Sequence, residues 1–280
     1  MRRALVTGLA AVAFAAAAGA QQYVLPLFAF SWPGKGANRW VSQVFLVNPG
    51  PTAVAVRVPR FLPGVLKEPT PCYPPIAASV EVAPYATRAL STQDLSLDLQ
   101  CPEMALGGLL FDANGPIEIV SEVVNVGIAA SPVASPSGFG QDVPGFGPAD
   151  LAIPGATYQL PALVWDPNRC GHPPLFEVYL YLANPGDVAA SVVLQQSHKG
   201  SPGVLIVNGV TVATPYTFKL APQSALQLKV DLGGAIATVC LPPRTTDLFF
   251  ITTQPIAVVA SVVDRSSQDA RTVLPVKTTD

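Results

Sequence analysis

The chain has 280 residues, of which 50% are hydrophobic and only 12% are charged, and it contains 30 prolines and 22 glycines. A formal net charge of −2 argues against nucleic acid or an anionic membrane surface as the partner, because both favour clustered Lys and Arg. The hydrophobic content is also far above that of a disordered chain, despite the many prolines.

The N-terminal segment is typical of a secretory signal peptide. Met1-Arg2-Arg3 precedes an apolar run from Ala4 to Ala18, and small residues follow up to Ala20. The run is shorter than the about 20 apolar residues that a membrane-spanning helix needs. We therefore expect residues 1–20 to be cleaved, the mature chain to be periplasmic or extracellular, and no membrane span to remain after cleavage.

The rest of the chain has the pattern of an all-β protein. Short runs of Val, Ile, Leu, Phe and Tyr stop at Pro, Gly, Asn or Asp after about 8 to 15 residues. The first predicted strand runs from Tyr23 to Phe30, and its Pro26 removes a backbone donor, which predicts an edge strand or a bulge. A Pro161 in a later strand predicts the same.

The next predicted strand ends in "VFLVNPG". Strand alternation places Val44 and Leu46 on the core face, together with Trp40, and Phe45 on the opposite face. The closing Asn48-Pro49-Gly50 predicts a type II turn, because proline suits the second turn position and glycine tolerates the positive φ of the third.

The same elements recur later in the chain. Equivalent positions are Tyr23 and Tyr158, Asn48 and Asn184, Ala83 and Ala221, Cys101 and Cys240, and Pro116 and Pro255. Their offsets drift only from 135 to 139, so we interpret the chain as a duplicated domain with small loop insertions. The predicted domains are residues 21–150 and 151–280, each with its own core. Part of "GFGQDVP" is predicted to be the last strand of the first domain.

The second copy repeats the strand that ends in Asn-Pro-Gly. Phe176, Leu180 and Leu182 are predicted on its core face, and Tyr179 and Tyr181 on the other. In this copy alone, Asn208-Gly209 separates two β-branched runs and predicts a two-residue hairpin.

Five segments of the first copy resemble one group of known modules. They read "GANRWVSQVFLVNPG", "VEVAPYATRAL", "ALGGLLF", "GPIEIVSEVVN" and "GFGQDVPG". In this order they resemble the immunoglobulin-like β-sandwich modules of bacterial secreted and surface proteins of poorly defined role, over about residues 34 to 146. The resemblance implies two tandem immunoglobulin-like antiparallel β-sandwiches and an extracellular setting. It supplies no catalytic residues.

Candidate groups for chemistry are sparse. The two histidines, His172 and His198, stand in loops rich in Gly, Pro or Ser, and the spacing around His172 matches no zinc site. Glu118 and Glu122 share a strand face, but no partner acid is visible, so we interpret both as solvent-facing. We predict no catalytic, cofactor-binding or metal-binding residues, and no enzyme activity.

Four aromatic residues are the candidates for contact with a partner: Trp32, Phe45, Tyr179 and Tyr181. They can form an apolar patch for a protein, a polysaccharide or the neighbouring domain. The alternative is that Trp40 belongs to the core and that a loop covers the tyrosines.

The four cysteines are predicted to form two disulfides, because export exposes them to an oxidising compartment. Cys101 and Cys240 are equivalent positions, so each copy holds one further cysteine. The duplication therefore predicts that Cys72 pairs with Cys101 and Cys170 with Cys240.

These expectations favour an exported, non-catalytic structural, adhesive or binding protein of the bacterial cell surface or periplasm. The alternative is a periplasmic two-domain chaperone that acts by β-strand addition. Such a chaperone is expected to hold a client carboxylate with basic residues, and the strand from Tyr23 to Phe30 contains no Arg or Lys.

Overall fold

The computed structural model describes residues 20–33, 39–64, 79–90, 105–126, 140–165, 175–196, 203–232, 244–267 and 269–279. Within these ranges the chain forms only β-strands, turns and bends, and the strands pair antiparallel. The prediction of an all-β fold is confirmed. None of the described residues belongs to a helix long and apolar enough to cross a membrane.

The first half, residues 20–150, contains nine of the described strands. They are β1 (Gln21–Phe30), β2 (Trp32–Pro33), β3 (Arg39–Val47), β4 (Val54–Pro63), β5 (Ser79–Val82), β6 (Thr87–Leu90), β7 (Ala105–Ala113), β8 (Glu118–Val126) and β9 (Gly140–Pro144). Sheet 1 has the order β1-β7-β4-β5. Sheet 2 has the order β2-β3-β8-β9, and β6 also pairs with β3.

The second half, residues 151–279, contains the other eleven described strands. They are β10 (Thr157–Trp165), β11 (Phe176–Asn184), β12 (Ala190–Gln195), β13 (Gly203–Val207), β14 (Val210–Thr214), β15 (Tyr216–Leu220), β16 (Ser224–Asp231), β17 (Arg244–Thr252), β18 (Ala257–Asp264), β19 (Ala270–Val273) and β20 (Val276–Lys277). Sheet 3 has the order β14-β13-β16-β11-β18-β19, and sheet 4 the order β15-β12-β17-β10-β20.

The two halves share one strand order. Sheet 1, β1-β7-β4-β5, matches β10-β17-β12-β15 of sheet 4, and β6-β3-β8-β9 of sheet 2 matches β16-β11-β18-β19 of sheet 3. The second half adds β20 and the hairpin β13-β14. This correspondence extends the repeat from the sequence to the strand pairing.

Proline bulges the first strand of each half at the same place. The register of β1 against β7 shifts between Leu25 and Phe28, around Pro26, and that of β10 against β17 shifts between Leu160 and Leu163, around Pro161. Proline cannot donate to the ladder, so a bulge relieves the mismatch. The prediction for each proline was an edge strand or a bulge, and the structure shows a bulge at both.

The repeated Asn-Pro-Gly turn differs from the prediction. Among the described glycines only Gly155 and Gly209 have positive φ, so neither Gly50 nor Gly186 has the conformation that a type II turn requires, and that prediction is wrong. The preceding asparagine closes the turn instead, because the Gly50 and Gly186 amides donate to the side-chain oxygens of Asn48 and Asn184 over 2.9 and 3.0 Å.

The predicted hairpin of the second half is confirmed. Val207 pairs with Val210 across Asn208 and Gly209, whose φ angles are 50° and 81°. Positive φ at both central residues is what a type I′ turn requires, and Asn-Gly is the pair that tolerates it best.

The buried hydrophobic side chains form two clusters. One cluster lies entirely within the second half, and the other combines first-half side chains with Ala183, Ala225, Ala257 and Val259 of the second half. The predicted core residues Val44, Leu46, Leu180 and Leu182 are fully buried. The chain passes from one half to the other between Phe146, which pairs with β1, and Ala152, which pairs with Ile256.

Sheet 1 is buried on both faces where the halves meet. Every residue of β1 from Tyr23 to Ala29 is buried, because one face packs in the first cluster while the other contacts β11 and β18 of sheet 3. The contact is close: a Cβ atom built on Gly108 would lie 3.6 Å from that of Ala183. Small side chains at this interface let the two sheets approach each other.

Candidate functional site

A cavity of about 360 Å³ lies between the two halves. The last part of β1, the start of β7 and the indoles near β2 line one side, and the outward face of sheet 3 lines the other. Small-molecule sites typically occupy about 300–1,000 Å³ and often lie between domains. The cavity therefore has the size and position of a binding site for a small ligand.

Two indoles form the first-half wall. Trp32 of β2 pairs directly with Trp40 of β3, and both line the cavity. Directly paired residues project to the same face of a sheet about 5 Å apart. Ser31, with φ of 50°, separates β1 from β2. This backbone turn takes the chain from sheet 1 to sheet 2 and so brings Trp32 beside Trp40.

Two tyrosines line the cavity from the second half. Tyr179 and Tyr181 are two residues apart on β11, so they share the outward face, and their ring centroids are 6.5 Å apart at an interplanar angle of 29°. The Tyr181 hydroxyl accepts a hydrogen bond of 3.1 Å from Nε2 of Gln227. Burial raises the pKa of Tyr181, and the Gln227 hydrogen bond offsets part of that rise, so this hydroxyl keeps its proton at neutral pH.

A half-buried carboxylate, Glu177, forms a network with two exposed cations at one end of the cavity. Glu177 accepts hydrogen bonds from the Tyr179 hydroxyl at 2.7 Å and from Nζ of Lys229 at 2.6 Å, and Nε of Arg265 lies 3.5 Å away. Burial alone would raise the pKa of Glu177, but the hydrogen bonds from Lys229 and Tyr179 and the two positive charges outweigh it and lower the pKa below its usual value. Glu177 is therefore ionised, and both of its carboxylate oxygens already accept hydrogen bonds.

Among the described residues that line the cavity, Ser261 has the buried polar side chain without a hydrogen-bond partner. Its side chain is 1% exposed, it lies on β18 directly opposite Tyr179, and its Oγ has no hydrogen-bond partner among the described residues. Buried hydroxyls are usually hydrogen-bonded, because an unsatisfied one costs about 1–3 kcal/mol. A ligand hydroxyl or a water molecule in the cavity would supply the missing bond.

The structure brings together three of the four predicted aromatic residues: Trp32, Tyr179 and Tyr181 line the same cavity. Phe45 is not among them. It is half-buried on β3 and pairs with Val120 of β8, on the face of sheet 2 that points away from the first core. Trp40, which was predicted on the core face, is partly buried against the first core and also lines the cavity.

Sequence reasoning missed the polar residues of the site: Gln141, Glu177, Gln227, Ser261 and Arg265. A comparison of equivalent positions in the two copies would have identified one of them, Ser261. Glu118 and Glu122 of the first copy correspond to Ala257 and Ser261 of the second. This outward strand face carries two charged side chains in the first copy. In the second copy the equivalent side chains are small and uncharged, and the other half covers them.

Of the remaining candidates for chemistry the structure describes only Glu118 and Glu122, and neither lines the cavity. His172, His198 and the four cysteines, Cys72, Cys101, Cys170 and Cys240, lie outside the described residues. Glu118 is exposed and Glu122 half-buried on the outward face of sheet 2. In the part of the chain that the structure describes, no group of three or more His, Cys, Asp or Glu side chains could hold a metal ion.

Comparison with known proteins does not assign the chain to a family. No protein-family model matches it, and no curated protein matches it. A solved structure of a lectin from Pleurotus ostreatus in complex with GalNAc aligns with 94% of this chain and 76% of the lectin at 13% identity, with a TM-score of 0.15. A TM-score this low carries no argument about fold or ligand.

Proposed function

We propose that the protein is an exported, non-catalytic binding protein built from two immunoglobulin-like β-sandwich modules, residues 21–150 and 151–280. It acts in the periplasm or at the bacterial cell surface. Its ligand site is the cavity between the two halves. The observation that carries this proposal is the aromatic lining of the cavity, with Trp32 and Trp40 from the first half and Tyr179 and Tyr181 from the second, beside the Ser261 hydroxyl, which has no hydrogen-bond partner among the described residues.

The module assignment has two supports. The matched strand order of the two halves fits a duplicated sandwich, and the quoted segments resemble immunoglobulin-like modules of secreted proteins. The proposal of export has its support in the order of charged, apolar and small residues before Gln21.

Binding, rather than packing alone, accounts for the composition of the cavity. An interface that only joins two halves gains most from close apolar contact, as at the Gly108 and Ala183 contact. The cavity instead keeps four aromatic side chains and several polar groups around open space. Rigid aromatic walls with a few fixed polar groups are the usual composition of a small-molecule site.

The proposal of a non-catalytic role depends on the state of Glu177. It is the only acid among the described residues that line the cavity. Its carboxylate already accepts hydrogen bonds from Tyr179 and Lys229 beside Arg265, with a lowered pKa. An ionised carboxylate held by several donors is a poor general acid and a poor nucleophile.

Thermal denaturation of the mature chain with a chemically diverse set of small molecules tests the proposal. A ligand of the cavity should raise the melting temperature, because binding to the native state stabilises it by mass action. Ser261→Leu fills the cavity and should abolish the shift. Glu122→Leu, at the equivalent position outside the cavity, is the matched control and should leave the shift intact.

Two results would contradict the proposal. One is a set of ligands whose effect persists in Ser261→Leu, which would place their site elsewhere. The other is reproducible chemical conversion of a bound compound, followed by mass spectrometry, which would make the protein an enzyme.

A further inference from the structure

We propose that the cavity binds a neutral sugar, as one or two pyranose rings, an inference that rests on the proposed function and specifies its ligand. Three properties of the site lead to this class: its aromatic lining, its neutral hydrogen-bonding groups and the pairing of its lining carboxylate with two cations.

The aromatic walls match the shape of a pyranose ring. Such a ring has one or two faces of C–H groups, and the electron-rich face of an indole or phenol attracts the slightly positive hydrogens of C–H bonds. Such side chains line the cavity from both halves, Trp32 and Trp40 from the first and Tyr179 and Tyr181 from the second. A ring inserted between the halves would thus meet aromatic side chains of both.

The polar groups of the cavity suit hydroxyls, which both donate and accept. Ser261 Oγ is buried without a partner in the described part of the chain and can do either. The Tyr181 hydroxyl already accepts from Gln227 and keeps its proton, so it is a donor toward the cavity. Gln141, which is 8% exposed, lines the first-half side, where its Oε1 accepts a hydrogen bond of 3.2 Å from the Thr272 hydroxyl and its Nε2 is a further amide donor. These groups can satisfy the hydroxyl edge of a sugar.

The charges at the site argue against an ionic ligand. An organic cation such as a quaternary ammonium group fits an aromatic cage, but here it would approach Lys229 and Arg265, and Glu177 is already paired with both. An anion would have to compete with Glu177 for the same two cations. A neutral ligand avoids both costs.

The size of the cavity sets the length of the ligand. About 360 Å³ lies at the lower end of the range for small-molecule sites. This volume suits one or two sugar rings and leaves no room for a long acyl chain.

The inference is tested with the full mature chain and named probes: glucose, N-acetylglucosamine, cellobiose and cellohexaose as neutral sugars, and choline and octanoate as ionic compounds of similar size. Saturation-transfer difference NMR reports which ligand protons touch the protein. We expect sugar signals that are strongest for the C–H protons of the ring faces, and tryptophan fluorescence that changes on titration. Binding of cellobiose without cellohexaose would identify a free sugar as the source of the ring, and binding of both a polysaccharide. Both support the inference.

Two conservative variants locate the sugar. Ser261→Ala should weaken binding about 3- to 10-fold, the loss expected for one neutral hydrogen bond, and Tyr181→Phe should weaken it to a similar extent while its ring stays in place. Ser121→Ala is the matched control, because Ser121 is also a buried serine whose Oγ has no partner among the described residues, but it does not line the cavity. Its sugar affinity should equal that of the unmodified chain.

The outcomes separate this inference from the proposed function. Binding of choline or octanoate that Ser261→Leu abolishes, without binding of any sugar, overturns the inference and leaves the proposed function standing. Sugar binding that neither Ser261→Ala nor Tyr181→Phe changes also overturns the inference. Failure of a diverse set of compounds, sugars included, to bind the cavity overturns both.

Discussion

The side chains of Asn48 and Asn184 occupy the same environment in the two halves, 136 residues apart. Nδ2 of Asn48 lies 2.8, 3.1 and 3.1 Å from the carbonyl oxygens of Thr52, Val82 and Ala83. Nδ2 of Asn184 lies 2.8, 3.4 and 3.0 Å from the corresponding oxygens of the second half. In each half the asparagine of the repeated motif thus hydrogen-bonds the end of its strand to a neighbouring turn.

Replacement of the amide by a carboxylate should destabilise either half strongly. Asn48→Asp keeps the shape and the acceptor for the Gly50 amide, but it places a buried charged oxygen against three carbonyl oxygens. We expect a loss of about 2–5 kcal/mol in the free energy of unfolding, measured by urea denaturation. Asn114→Asp is the control, since Asn114 is exposed and its Oδ1 accepts from the Ala55 amide. Equal losses in both variants would refute this role for Asn48.

The contact between the halves should tolerate no additional volume. Ala183 is fully buried at the interface, so Ala183→Leu should lower the free energy of unfolding by about 1–3 kcal/mol through overpacking. Val47→Leu, at the equivalent but half-buried position of the first half, should cost less than about 0.5 kcal/mol. Limited proteolysis near residue 150 should also accelerate in Ala183→Leu alone. Unchanged stability of Ala183→Leu would show that the halves do not pack as described.

The carboxylate network should make stability depend on acid pH. The pKa of Glu177 is lowered in the folded chain, so its contribution is complete above the unfolded value of about 4.3 and is lost as the pH falls through the lower folded value. The difference in unfolding free energy between the unmodified chain and Glu177→Gln should therefore be constant from pH 5 to 7 and shrink below about pH 4. Glu118→Gln, which removes an exposed carboxylate, is the control. A difference that grows in acid would contradict this assignment.

Two disulfides are expected to join neighbouring strand ends. Trp165 pairs directly with Arg244, and Cys170 follows Trp165 by five positions while Cys240 precedes Arg244 by four. In the first half the Gly64 amide bonds the Leu106 carbonyl over 3.2 Å, which brings together the chain segments that lead to Cys72 and Cys101. Peptide mapping without reduction should find Cys72 linked to Cys101 and Cys170 linked to Cys240. Each disulfide should add about 2–4 kcal/mol to the free energy of unfolding. A dominant Cys101 to Cys240 link would overturn this pairing.

Local sequence patterns determined the strands, the bulges, the hairpin and the repeat. Alternation in "VFLVNPG" and "LYLANPG" predicted which side chains enter each core, because successive strand residues point to opposite faces. Pro26 and Pro161 predicted an edge strand or a bulge, because proline lacks a backbone donor wherever it stands. The Asn-Pro-Gly turn was predicted wrongly, since its conformation depends on a buried asparagine that bonds a turn about 35 residues away in sequence.

Only the tertiary structure decided which outward strand face is covered. Phe45 and Tyr181 are equivalent positions, and alternation places both opposite the core face of their strand. Tyr181 lines the cavity because sheet 3 packs on sheet 1, whereas Phe45 belongs to the face of sheet 2 that points away from the other half. The docking of the two halves depends on contacts such as Gly108 with Ala183, 75 positions apart. Hydrophobic periodicity within one strand carries no information about such distant contacts, so the cavity and the isolated hydroxyl of Ser261 emerge only when the halves are assembled.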